Sequence, residues 1–174
     1  MRNNPARLTV AEGELDVRLA VWAGFRAGKR AKPSKGDVCV SVGGDAMVED
    51  DDEITAEQHT AYRTILDDAD AMQHAIVDAI VLEYPKIRAK YNGFQMQMPA
   101  QIDATSIRDL IELTSISIHN VHADGVAYVG YSLACAWDSE HSVGVMTHGR
   151  RVVEVGGADT AILAWIAERD LERR

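Results

Sequence analysis

Two stretches near the N-terminus alternate apolar and polar residues, which is the pattern of strands with one buried face. The inward positions are Leu15, Val17, Leu19 and Val21 within 14–23, and Val38, Val40 and Val42 within 37–42. The segment between them, 25–36, carries Arg26, Lys29, Arg30, Lys32 and Lys35. The pattern therefore predicts a β-hairpin closed by a mobile basic loop.

Four more strands are predicted towards the C-terminus, at 113–119, 126–137, 143–148 and 151–155. The turn signals at 120–125, 138–142 and 148–150 are short, so consecutive strands are expected to pair as an antiparallel meander. Slipping the register by one residue would flip every side chain to the other face. The pairs predicted to close the three turns are Ile116 with Tyr131, Ile118 with Val129, Val143 with Trp137, Val145 with Cys135, Val145 with Val153, and Val143 with Val155.

Helical spacing occupies the region between these two sets of strands and the end of the chain. Thr55 with Gln58 and Asp70 with Gln73 predict capping boxes at the starts of two helices, the second of which Pro85 should break or kink. A short turn is predicted at 105–111, and a last helix at 158–170 should turn Ala158, Ala161, Ile162, Trp165 and Ile166 inward. The predicted fold class is α+β: a four-stranded antiparallel meander plus an N-terminal hairpin, packed against two central helices and a C-terminal helix.

The chain of 174 residues fits a single α+β domain over 1–174. We expect 1–10 and 171–174 to fray, and 43–53, which is rich in Asp and Glu, to be an acidic linker. Cys39 and Cys135 each lie in a strand pattern and are expected to be buried thiols. No apolar run is long enough for a signal peptide or a membrane span, so the cytoplasm is the expected compartment.

The formal net charge of −9 disfavours nucleic acid as a partner, unless the basic residues are segregated. An acidic surface is compatible with a basic protein partner and equally with simple solubility. The sequence has no phosphate-binding glycine loop, nucleophile elbow or metal-ligand spacing, so we expect no cofactor and no metal. In the predicted register His119 and His148 are too far apart to share a metal ion, since His148 would lie opposite residue 132.

Asp138, Glu140 and His141 are the candidate catalytic residues, because a carboxylate beside an imidazole can perform acid–base chemistry in a desolvated pocket. The alternative is that the two carboxylates solvate a turn while His141 binds a loop carbonyl. A second candidate site is the sheet face opposite the apolar one, which is flat and built of small residues. The predicted binding surface on that face comprises Ser117, His119, Tyr128, Ser132, Met146, His148 and Glu154.

Several segments resemble a bacterial family known only as a domain of unknown function. They are 128–131, the segment Trp137-Asp138-Ser139-Glu140-His141-Ser142-Val143-Gly144, and 151–160, with similar residues upstream around Thr55, Tyr62 and Tyr84-Pro85. The resemblance spans about 54–165, and Ser142 stands where the family has glycine. It implies no activity; by size and class the chain is similar to immunity or accessory proteins of bacterial toxin systems.

These observations favour a non-enzymatic protein-binding domain, of the immunity type that neutralises a basic bacterial toxin domain. The alternative is a hydrolase-like or small-ligand-binding enzyme that uses Asp138, Glu140 and His141. A third hypothesis is a structural or regulatory module that self-associates through its C-terminal helix.

Overall fold

A computed structural model describes residues 14–43, 53–91 and 98–174. The strands are β1 Glu14–Arg18, β2 Asp37–Gly43, β3 Ile111–Ala123, β4 Val126–Cys135, β5 Asp138–His148 and β6 Arg151–Gly157. The helices are α1 Ala56–Asp67, α2 Ala69–Lys90, α3 Asp159–Ile162 and α4 Ala164–Glu172, with short 3₁₀ turns at Ala20–Trp22 and Ser106–Asp109. Residues 1–10 and nearly all of the predicted acidic linker, 43–53, lie outside the described residues.

The six strands form one sheet in the order β1-β2-β3-β4-β5-β6. The predicted hairpin and the predicted four-stranded meander are both confirmed as antiparallel units. Helices α1 and α2 form the crossover that makes β2 and β3 parallel, so the sheet is mixed. The α+β class is therefore confirmed, and the parallel join between its two halves was not predicted.

The predicted register is confirmed at the first turn, where Ile116 pairs with Tyr131 and Ile118 with Val129. The β4–β5 register is shifted by four residues, because the turn consists only of Ala136 and Trp137, and the β5–β6 register is shifted by two, because β6 is bulged against β5. Val145 therefore pairs with Tyr131 and Val155. A shift of two or four residues keeps the side chains of these pairs on their predicted face.

The first sheet face packs against α1 and α2 and forms the main core. Its buried side chains include Val38, Val40, Leu113, Ile116, Ile118, Tyr131, Leu133, Val143 and Val145 from the sheet and Ala61, Ile65, Met72, Ile76 and Ile80 from the helices. The capping box at Thr55 is confirmed, and its partner Gln58 also donates to the Asn120 side chain, which joins α1 to the bulge in β3.

The start and middle of α2 differ from the prediction. Asp70 and Gln73 make no capping box, because α2 begins one residue after Asp68 and the Asp68 carboxylate binds Arg150 instead. The helix also runs through Pro85 to Lys90, so the expected break is wrong. Tyr84 holds this part of the helix, since its ring is buried against Trp137 and its hydroxyl donates to the Pro99 carbonyl at 2.8 Å.

The basic loop is anchored to the body of the protein. Trp22 and Phe25 are buried in the core, and their rings lie 5.0 Å apart. The Phe25 carbonyl accepts from the Ser34 N–H at 2.7 Å, and the Arg26 N–H donates to the Arg108 carbonyl at 2.9 Å. These contacts correct the prediction of a mobile loop, although its cations at Lys29, Arg30, Lys32 and Lys35 are exposed.

Candidate functional site

Asp138 and His141 lie in the first residues of β5, and not in a turn as the sequence predicted. Asp138 is mostly buried, with 15% of its side chain exposed, whereas 71% of the His141 side chain is exposed. The His141 Nδ1 lies 3.0 Å from Asp138 Oδ2 and 3.2 Å from Oδ1. The Asp138 carboxylate therefore orients the imidazole through Nδ1. This contact does not involve Nε2, the other ring nitrogen of the exposed His141 side chain.

Three further donors converge on the same carboxylate. The backbone N–H groups of Glu140 and His141 donate to Oδ1 at 3.0 and 2.9 Å, and the Tyr91 hydroxyl donates to Oδ2 at 3.0 Å. Burial raises the pKa of Asp138, but these donors outweigh burial and the pKa lies below its ordinary value. Burial and the bond to Asp138 raise the pKa of Tyr91 to about 12, so the phenol stays protonated.

Glu140 does not join this pair. It is exposed, and only its backbone N–H contacts Asp138. Cys135, which lies behind the pair, is buried and its Sγ faces the carbonyls of Asp138 and His141 at 3.5 and 3.4 Å. Burial raises the pKa of this thiol to about 11, so it is a poor nucleophile at neutral pH. The structure thus brings together two of the three predicted catalytic residues.

The second candidate site, the small-residue face, is covered over its central strands by the C-terminal helices. Helix α3 lies directly on glycines of three adjacent strands: a Cβ atom on Gly130 would overlap the Ala161 carbonyl, one on Gly144 the Ala161 backbone nitrogen, and one on Gly156 the Thr160 hydroxyl. His119, wholly buried, contacts the Ala161 carbonyl through Nε2 at 2.9 Å. The absence of side chains at these glycines makes this close approach of α3 sterically feasible.

Helix α4 continues along the same face. Ile166 and Ala167 bury against Tyr128 and Met146, and the Tyr128 hydroxyl donates to Asp170 at 2.7 Å. Arg151 on β6 holds the same carboxylate through two hydrogen bonds. The hydrogen bonds that Arg151 donates to Asp170 are the main reason that the pKa of Asp170 falls to about 2.

Arg174 adds a further contact at the end of a segment that the sequence predicted to fray. Its guanidinium donates to His148 Nδ1 at 2.8 Å and to Asp124 at 2.7 Å. His148 in turn contacts the Ala123 carbonyl through Nε2 at 3.0 Å. The last residue of the chain is therefore tied to the turn between β3 and β4.

These contacts correct the expectation of a free sheet face at four of its seven residues. His119, Tyr128, Met146 and His148 are buried, all beneath α3 and α4. The remaining three are partly exposed, and they are Ser117, Ser132 and Glu154, of which Glu154 forms an ion pair with Arg169. The small residues do receive a helical segment, and that segment is the chain's own C-terminal one.

The outer side of α3 and α4 exposes apolar residues that the sequence assigned to the core. Ile162 is 40% and Trp165 is 48% exposed. Leu163, in an extended conformation, separates the two helices, so the helical spacing assumed over 158–170 fails there. The Arg169 guanidinium lies 4.6 Å from the centre of the Trp165 ring, within the range of a cation–π contact.

The histidines are distributed differently from the predicted register. His148 lies opposite Tyr128, four residues from the expected position, because β5 is shifted along β4. In the part of the chain that the structure describes, no three His, Cys, Asp or Glu side chains group as a metal site. Within the same residues, no helix is long and apolar enough to cross a membrane.

Residues 13–163 match the family model described as Domain of unknown function (DUF6985), so the chain belongs to this family. The match covers the whole sheet from β1 to β6 and ends one residue before α4. No curated protein and no solved structure is significantly similar to the chain.

Proposed function

We propose that this member of the DUF6985 family is a protein-binding domain that contacts its partner through the outer side of α3 and α4. The observation that carries the proposal is the half-exposed Trp165, whose ring is braced by Arg169. Tryptophan and arginine dominate the binding energy of many protein interfaces. A braced ring also loses less conformational freedom on binding than a mobile one.

The charges around Trp165 favour a basic partner. Asp159, Glu168 and Glu172 are all exposed, and none of them forms an ion pair with another described residue. Glu168 and Glu172 follow Trp165 by three and seven residues, so on α4 they lie close to the side of the helix that carries the indole. An apolar centre with an acidic rim is complementary to a basic protein surface.

This complementarity and the net charge of −9 support the proposal of an immunity-type role. In that role the domain neutralises a basic toxin domain by covering part of its surface. The exposed acids would accelerate the encounter with such a partner, and this effect would weaken as salt rises.

The test is to isolate stoichiometric partners of the tagged chain from its source cells, and then to co-express a captured partner with the chain. We expect a basic protein that arrests growth alone and is tolerated with the wild type. Trp165→Ala should weaken binding about tenfold or more, which is typical of an interface hot spot. Leu82→Ala is the matched control, because Leu82 is 76% exposed on α2, away from this surface.

Equal loss of binding in the Trp165→Ala and Leu82→Ala variants would exclude the surface. A captured partner that is acidic, or that cells tolerate without the chain, would exclude the immunity role.

A second candidate function is acid–base chemistry or small-ligand binding at Asp138 and His141. The observation that favours it is the contact of His141 Nδ1 with the buried carboxylate, which orients an exposed imidazole as a base is oriented in catalytic dyads. The variant His141→Ala separates the two functions in the co-expression assay. Retained protection favours binding through α4, whereas loss of protection by a folded variant that still binds the partner favours the dyad.

A further inference from the structure

We propose that His148 is a proton-sensitive latch: when its imidazole takes a second proton, α4 is released from the sheet. The latch controls the attachment of α4, which carries the proposed binding surface, so this inference rests on the proposed function. Its test uses the chain alone, without a partner, so the latch and the partner proposal can fail separately.

The two partners of His148 define its protonation state. Nε2 lies 3.0 Å from the Ala123 carbonyl, and Nδ1 lies 2.8 Å from the Arg174 guanidinium. A carbonyl can only accept and a guanidinium can only donate. Nε2 therefore carries the hydrogen and Nδ1 is the acceptor, which is the neutral imidazole.

A second proton would have to sit on Nδ1, where it would point at Arg174. The hydrogen bond would be lost and two positive charges would face each other at contact distance. His148 is only 6% exposed, so water screens this repulsion poorly. Moving Arg174 away relieves the repulsion, and Arg174 follows the last residue of α4 by two positions.

The charged and titratable neighbours of His148 lie on both the sheet side and the helix side of the imidazole. On the sheet side, the Tyr128 ring stacks 4.5 Å from the imidazole, and burial together with Asp170 raises the pKa of Tyr128 to about 12. On the helix side, Arg174 faces Asp124 and Asp170, and Asp170 is also bound by Arg151. The pKa of Asp170 is about 2, chiefly because of Arg151, so it stays ionised throughout mild acidification.

Helix α4 is held by apolar contacts together with this polar network. Its buried residues are Ile166 and Ala167, and the rest of its attachment consists of the contacts of Asp170, Arg174 and Arg169. Losing one contact and adding a repulsion therefore weakens the attachment of α4. Release would uncover Tyr128 and Met146, which now bury against Ile166 and Ala167.

The direction of the pH effect follows from which state takes the proton. In the docked state the Arg174 guanidinium occupies the position that a second proton would take at Nδ1, whereas release of α4 opens Nδ1 to water. Protons then bind the released state in preference to the latched one, so acidification favours release. The relevant comparison is between about pH 7.5 and about pH 5, the range in which histidine side chains change charge.

The experiment is amide hydrogen exchange of the full chain at these two pH values, expressed as protection factors to remove the intrinsic effect of pH. In the wild type we expect protection over 164–172 to fall severalfold at the lower pH relative to α2. His148→Gln is the matched variant, because an amide can donate to Ala123 and accept from Arg174 without titrating. Its α4 protection should not depend on pH.

Unchanged α4 protection in the wild type would overturn the latch, as would an equal fall in His148→Gln. If His148→Gln does not fold, Arg174→Met serves instead, because it removes the cation that a second proton would face. A fall in protection over 164–172 that is as steep in Arg174→Met as in the wild type would also overturn the proposal.

Discussion

At the residue scale, Asp138 is the acceptor around which the start of β5 is built. One carboxylate satisfies two backbone N–H groups, the Tyr91 hydroxyl and the His141 ring. The sequence suggested Asp138 and His141 because they are neighbours along the chain. Tyr91 could not be predicted, because it lies 47 residues away on the other side of the α2 crossover and nothing near it marks the contact.

Asp138→Asn should lower the free energy of unfolding by about 1–3 kcal/mol at neutral pH, since it replaces a charged acceptor of several bonds with a neutral amide. The difference from wild type should shrink as the pH falls below about 4. The pKa of Asp138 is depressed in the folded protein, so its stabilisation is present above the unfolded-state pKa and is lost as the pH falls through the folded one. Urea denaturation of both proteins across that range measures it.

The control for this prediction is Glu140→Gln at the neighbouring exposed position, which should leave stability nearly unchanged. If Asp138→Asn and the wild type have the same free energy of unfolding at neutral pH, the Asp138 carboxylate does not stabilise the fold through these hydrogen bonds.

At the element scale, α3 depends on glycines that the sequence marked only as small. Gly130 on β4 lies where a methyl group would overlap the Ala161 carbonyl. We therefore expect Gly130→Ala to lower the free energy of unfolding by about 3 kcal/mol or more, because backbone must move on both sides of the contact. Thermal or urea unfolding measures this loss.

Gly157→Ala is the matched control, because the space around Gly157 is open and its backbone is not left-handed. It should change stability by well under 1 kcal/mol, as is usual for surface substitutions. Similar losses for the two variants would contradict the close contact between α3 and the sheet.

The elements that local chemistry determines were predictable from the sequence. The capping box at Thr55 marks the start of α1, and the alternation of Ile116 and Ile118 indicates both a strand and its inward face. The break at Leu163 was not predictable, because the apolar residues within 158–170 have an uninterrupted helical spacing in the sequence. That break is the reason that Trp165 is at the surface and not in the core.

At the scale of the whole molecule, the second sheet face could be recognised as unusual but not assigned. Its small residues suggested that another segment or another protein packs on this face, and the pattern of strands alone does not say which. The covering segment is distant in sequence from most of what it covers: Ala161 contacts His119 over 42 residues, and Asp170 contacts Tyr128 over 42 residues. Such long-range contacts leave no periodic signal in the chain.

The distribution of charged residues agrees with the docking of α4 on this sheet face. Five of the six described ion pairs that involve arginine join distant parts of the chain, and Arg151 and Arg174 both pair with Asp170. Arginine is therefore used to attach α4, while Glu168 and Glu172 are left on its exposed side. The inner side of α4 is thus bound to the sheet, and its outer side is the one to which the proposed partner would bind.

The central claim is that α4 is docked on the sheet, and a double-mutant cycle between Tyr128→Phe and Asp170→Asn tests it most directly. The two residues share a 2.7 Å hydrogen bond to a charged acceptor, so their effects on the free energy of unfolding should be coupled. We predict a coupling energy of about 1–2 kcal/mol in urea denaturation at neutral pH. Effects that add to within about 0.3 kcal/mol would contradict the docked position of α4.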